Sequence, residues 1–184
     1  MTKLNSQILV IAFIFSYYVI STIFININYI WFDDWFIIKD YIDASDKLKE
    51  FFFKFENGHL ILIYRIIIYL NIEYLNLNLN IFKYLNLTLL FINFFILNLL
   101  LERYKINFNN KFYVFLIFLN PEIICSWYQG VNTVWFVSTF FILIFLYLQI
   151  KNHFLIFLFS ILIIFSNNFT LSIIGYFLFI KYLK

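Results

Sequence analysis

The run Ile8–Ile30, ILVIAFIFSYYVISTIFININYI, is 23 residues long and carries no charge. A helix needs about 20 mostly apolar residues to cross the hydrocarbon core of a bilayer, so this run reads as a spanning helix. Lys3 ahead of it gives the outline of a signal peptide. An h-region, however, is only ~7–15 residues and leads to a small-residue cleavage site. Here Ile27-Asn28-Tyr29-Ile30 closes the run, so the sequence predicts an uncleaved span.

The rest of the chain continues in the same way. Of 184 residues, 64% are hydrophobic and 12% charged, and the mean hydropathy is +0.90. Soluble domains carry roughly 25% charged residues, so this chain lacks the polar surface that water requires. Ile81–Leu101 is a second span-length run, with Lys83 near its start. Phe112–Tyr128, Val134–Ile150, Phe154–Phe165 and Phe169–Tyr182 are shorter candidates. The expected fold is all-α: a polytopic transmembrane helical bundle of about six spans forming one domain over residues 1–184. Residues 8–30 form its first span, 31–80 an external loop with juxtamembrane or re-entrant helices, and 81–184 the remaining spans. Leu60–Leu70, with Arg65 at its centre, is too short to cross and belongs to that loop.

Charge orients the chain. Seven of the ten carboxylates fall between Asp33 and Glu56, together with four lysines. With the N-terminus cytoplasmic and Leu60–Leu70 not crossing, Arg103, Lys105, Lys111, Lys151, Lys181 and Lys184 lie inside. The acidic island then lies outside, as the positive-inside rule favours. The chain is thus expected to be a multi-pass protein of an inner (cytoplasmic) membrane. The formal charge of +3 is too dispersed for nucleic acid, which needs a clustered basic face. Cys125 is the single cysteine, and His59 and His153 lie too far apart for zinc-type spacing. The 19 asparagines, Leu75–Asn80 included, read mostly as compositional drift.

Carboxylates at the mouth of a membrane domain are costly to keep there and mark chemistry or transport. Asp33 and Asp34 sit between Trp31-Phe32 and Trp35-Phe36, aromatic residues suited to the headgroup level. Such surroundings raise a carboxylate's affinity for a proton, which suits a general base. The alternative is a solvated loop start anchored by interfacial aromatics. Asp40, Asp43, Asp46, Lys47, Lys49 and Glu50 read as the solvated face of short surface helices. Phe51-Phe52-Phe53-Lys54-Phe55 reads as an interfacial segment with Lys54 snorkelling. Glu56, His59 and Arg65 form a second cluster: a buried arginine must be paired or meet an anion, and its fork suits phosphate or carboxylate. Its protein partners would be Glu56 or Asp34. Glu122, next to Pro121 and near Trp127, Tyr128 and Gln129, is a further candidate for substrate binding.

The ordered set of a span, an Asp-Asp-aromatic pair and an amphipathic loop ending in Asn-x-His with a downstream arginine resembles polytopic glycosyltransferases of the GT-C type. It is similar in particular to bacterial membrane proteins with a pattern like D-D-[FW] … [QE]-[HN]-N-E-H-R. Here the second motif reads Phe55-Glu56-Asn57-Gly58-His59-Leu60, with Gly58 for the glutamate and Leu60 for the arginine. Pro121–Gly130 resembles the aromatic-rich turn of those proteins, and Ser166-Asn167-Asn168 their small polar break. Members are longer, so the resemblance implies a truncated or N-terminal portion. It also implies transfer of a sugar from a polyprenyl-phosphate-linked donor to a glycan, lipid or protein acceptor on the outer face. Asp33 or Asp34 would act at the acceptor or at a divalent metal. Arg65 and His59 would offset charge on the departing phosphate, with Trp31, Trp35, Trp127 and Tyr128 as an aromatic rim. Two other classes stay open: a transporter component for a lipid-linked polar substrate, and a noncatalytic membrane assembly partner. Gly58 and the short length favour the last.

Overall fold

The computed structural model of the chain describes residues 3–24, 32–54, 61–119 and 133–148, with isolated helical positions at 155, 158, 161 and 162; at 3–6, 32 and 33 it describes the backbone alone. Every element among the described residues is helical: α1 (Lys3–Phe24), α2 (Phe32–Asp43), a π-helical segment (Lys47–Phe52), α3 (Leu62–Leu75), α4 (Asn80–Arg103), α5 (Phe108–Phe118) and α6 (Thr133–Leu148). The all-α expectation therefore holds. Two of these helices, at Gln7–Phe24 and Asn80–Arg103, are long and apolar enough to cross a membrane, and Thr133–Leu148 is a shorter apolar helix. The spans expected beyond Ile150 fall almost wholly outside the described residues.

Side-chain contacts fix the helix directions. α4 and α6 run parallel. Phe82 and Val134 share a cluster near their N-termini, Asn93 Nδ2 donates to Phe136 O at 2.9 Å, and Leu100 meets Leu143 near their C-termini. α1 runs antiparallel to α4, with Phe15 against Phe91 and Phe94 and Tyr18 against Leu90. α5 is also antiparallel to α4: Phe115 lies on Phe94, and Lys111 Nζ is 3.5 Å from Glu102. One end of the bundle thus gathers Gln7, Glu102, Arg103, Asn109 and Lys111. The other end carries the starts of α4 and α6, capped by α2, the π-helical segment and α3.

The cap packs for reasons visible in its sequence. On α2, Asp34, Ile37, Ile38 and Tyr41 are buried. Their i, i+3, i+4, i+7 spacing puts them on one helical face. On α3 the corresponding face is Ile61, Tyr64, Arg65, Ile68 and Asn71. Phe51 is fully buried between them, edge-on to Tyr41. Phe51 is thus a core residue and not part of an interfacial segment, because Tyr41 and Phe52 enclose it. Phe53, in the same run, is exposed.

Local caps end the elements. Asp46 accepts from Leu48 N and Lys49 N, and the Glu50 carboxylate accepts in return from Ser45 N at 2.7 Å. The pairing resembles a capping box. α3 ends at Asn76, whose φ of 51° lies in the left-handed region, which asparagine tolerates better than most residues. Asn71 holds that turn by accepting from Asn78 N at 2.9 Å and donating to Asn78 O at 3.2 Å. Three asparagines that read as drift therefore build the α3–α4 turn.

Candidate functional site

The seam between α2 and α3 brings two aspartates of α2 onto two neighbouring residues of α3. Tyr64 Oη donates to Asp34 Oδ1 at 2.5 Å, and Asp34 is only 3% exposed. Arg65, the next residue, is 0% exposed and places Nη2 3.2 Å from Asp40 Oδ2. Lys54 reaches the other oxygen, Asp40 Oδ1, at 2.5 Å. The Arg65 guanidinium also lies 5.2 Å from the Phe51 ring centroid, a cation–π distance.

These contacts correct several expectations. Asp40 is not part of a solvated face: its side chain is 14% exposed because two cations converge on it. Lys54 pairs with Asp40 rather than snorkelling. Arg65 has Asp40 as an ion-pair partner across the seam, and Glu56, one of the partners the sequence offers, lies outside the described residues. Asp43, Asp46, Lys49 and Glu50 are exposed, as a surface reading expects. The hydrogen bonds from Ser45 N, Asp46 N and Ser45 Oγ hold the Glu50 carboxyl below its ordinary range.

Asp33 is the second residue of α2. Glu56, His59, Glu122, Trp127, Tyr128 and Gln129 lie outside the described residues, as do Trp31, Gly58 and Pro121. Trp35 and Phe36 are exposed on the face of α2 opposite Ile37 and Ile38. Lys83 lies in the first turn of α4, buried beside Phe82, with Nζ 5.0 Å from the Tyr84 ring. Asn86 and Asn93 follow it on the same buried face.

Tyr64 was not among the residues singled out from the sequence. Its signal is its place three residues after Ile61 and next to Arg65, on the apolar face of α3. In space it is a junction. Its ring centroid lies 5.8 Å from that of Phe82 on α4. It also lines, with Ile63, Ile67, Thr133, Val134 and Val137, a narrow crevice between α3 and α6.

Among the described residues, no three His, Cys, Asp or Glu side chains group as a metal site. Asp34 and Asp40 each bind protein donors instead. What the arrangement offers is a carboxylate held by a phenol, and beside it a carboxylate shared by a buried and a surface cation.

Comparison with protein-family models, with curated proteins and with solved structures gives no match to this chain.

Proposed function

We propose that this chain is a multi-pass membrane protein whose cap carries a glycosyl-transfer site of the GT-C kind. Support for the membrane part is physical. Less than a quarter of each long apolar stretch, 17% in α1 and 22% in α4, is buried within the protein. Phe13, Ile23, Phe24 and Phe95 are all more than 60% exposed. Water disfavours such surface by about 25 cal/mol per Å², whereas lipid accepts it. The basic end, with Arg103, Lys105 and Lys111, is then cytoplasmic and the acidic cap external. The six-span arrangement and the inner-membrane location belong to this reading.

The observation that carries the catalytic part is Asp34 Oδ1 held by the Tyr64 phenol at the cap end of the bundle. In this reading Asp34 takes the proton of an acceptor hydroxyl as the acceptor oxygen bonds to the sugar's anomeric carbon. The bond from that carbon to the polyprenyl phosphate breaks, and the phosphate leaves with the electron pair. Arg65, Lys54 and His59 supply positive charge for the departing phosphate.

A second reading has its own support. Asp34 and Arg65 are both almost wholly enclosed by the protein, as befits a scaffold in a noncatalytic assembly partner or a component of a lipid-linked-sugar transporter.

Purified protein in liposomes with a labelled polyprenyl-phosphate sugar separates the readings. A transferase consumes donor, and Asp34→Asn lowers turnover at least a hundredfold while the protein stays folded. Wild-type turnover in both Asp33→Asn and Asp34→Asn removes the proposed base. Donor moved between leaflets unconsumed means transport. Neither activity, with a membrane protein co-purifying, means an assembly partner.

A further inference from the structure

We propose that Tyr64 is a positioning residue for Asp34, through which the packed ends of α4 and α6 set the place of that carboxylate. The inference deepens the catalytic reading above and rests on it for its functional meaning.

Three contacts converge on this one side chain. The phenol donates to Asp34 Oδ1 on α2. The ring packs on Phe82 of α4 at 5.8 Å. The same residue lines the crevice against Thr133, Val134 and Val137 of α6. Tyr64 is itself 1% exposed, so its hydroxyl is delivered from within the packed seam. A carboxylate in an enclosed site points where its donors hold it. Tyr64 thus holds Asp34 in the direction that a base needs, without itself touching substrate.

The position explains why a tyrosine stands on this face of α3. Ile61 and Ile68, its neighbours on that face, supply apolar surface only. A phenylalanine at position 64 would fill the same space against Phe82, and what it would lack is the hydrogen bond across the seam. Tyr64→Phe is therefore the informative variant.

The test uses two readouts on the full chain in detergent and in liposomes. The first is modification of Asp34 by the apolar reagent dicyclohexylcarbodiimide, followed by peptide mass spectrometry, with exposed Asp43 as an internal reference. Release of the carboxyl from its donor opens it to the reagent, so Tyr64→Phe raises modification of Asp34 several-fold and leaves Asp43 unchanged. Phe82→Leu is the packing control. It loosens the ring's seat but keeps the phenol, and raises modification less than Tyr64→Phe does. Equal modification of Asp34 in wild type and Tyr64→Phe, or equal effects of the two variants, overturns the proposal. The second readout is sugar transfer: Tyr64→Phe lowers kcat about tenfold, the worth of one hydrogen bond, with KM for the donor unchanged. A wild-type protein that transfers no sugar, but whose Asp34 responds to Tyr64→Phe, overturns the catalytic reading and leaves the control of Asp34 by Tyr64 standing.

Discussion

Arg65 Nη2 stands 3.2 Å from Asp40 Oδ2, and the arginine is fully buried while the aspartate keeps a thin contact with the surface. The pair joins the first turn of α3 to the far half of α2 across 25 residues of sequence. The pair sets the first expectation.

Asp40→Asn leaves the Arg65 charge buried without that counter-ion. Losing this partner of a buried charge costs about 1–3 kcal/mol. Lys54→Met removes the outer cation, which is about half exposed, and costs only about 0–1 kcal/mol. Denaturant unfolding in detergent, followed through cap fluorescence, should show a large loss of stability for the first variant and almost none for the second.

Phe51 and Phe53 give a paired test of which phenylalanines belong to the cap's core. Phe51 is fully enclosed and Phe53 is 48% exposed. Phe51→Ala should cost about 3–5 kcal/mol. Phe53→Ala should stay within about 0.5 kcal/mol, as surface changes do. The same unfolding measurement reads both.

Acid should loosen the start of the π-helical segment. The Glu50 carboxyl is held below its ordinary value of 4.5, chiefly by the Ser45 backbone N–H. A depressed folded-state value means that the ionised form stabilises the fold. Its contribution is fully present above pH 4.5 and is lost as pH falls through the lowered value. Hydrogen exchange at the Ser45 and Asp46 amides, corrected for intrinsic rates, should lose protection in that acidic window. Glu50→Gln, which cannot ionise, should show no such step.

The helix directions place Ser45 and Asn109 at opposite ends of the bundle. In a Cys125→Ser background, Ser45→Cys should react with an impermeant maleimide from outside, and Asn109→Cys only after the membrane is opened. Reaction of both from outside would mean that α3 crosses the bilayer and that the charge-based orientation fails.

Much of the helical layout was legible in the sequence. Long apolar runs mark α1, α4 and α6, because helix-length apolar segments need no tertiary information to be recognised. The end of α3 was harder to read. An apolar run ending at Leu70 predicts an earlier stop, yet the helix continues to Leu75. Asn71 is buried and clamps the following turn, so a residue that looks like a polar interruption is a packing element. The pairing of Arg65 with Asp40 was not legible, because it follows from how α2 rolls against α3. The same packing turns Phe51 inward and Phe53 outward within a run of identical residues. Of the candidate site, Asp34 and Arg65 could be named from the sequence; Tyr64, which holds Asp34, could not.

The two seam contacts also act together on α2 as a rigid body. Tyr64 and Arg65 project about 100° apart around α3, and Asp34 and Asp40 about 120° apart around α2. Two tethers at different azimuths leave a cylinder no freedom to turn on its axis. α2 could not bring Trp35 or Phe36 inward without releasing both aspartates at once. The two buried carboxylates thereby decide which aromatic side chains the helix shows to its surroundings, like two pins that fix the facing of a dial.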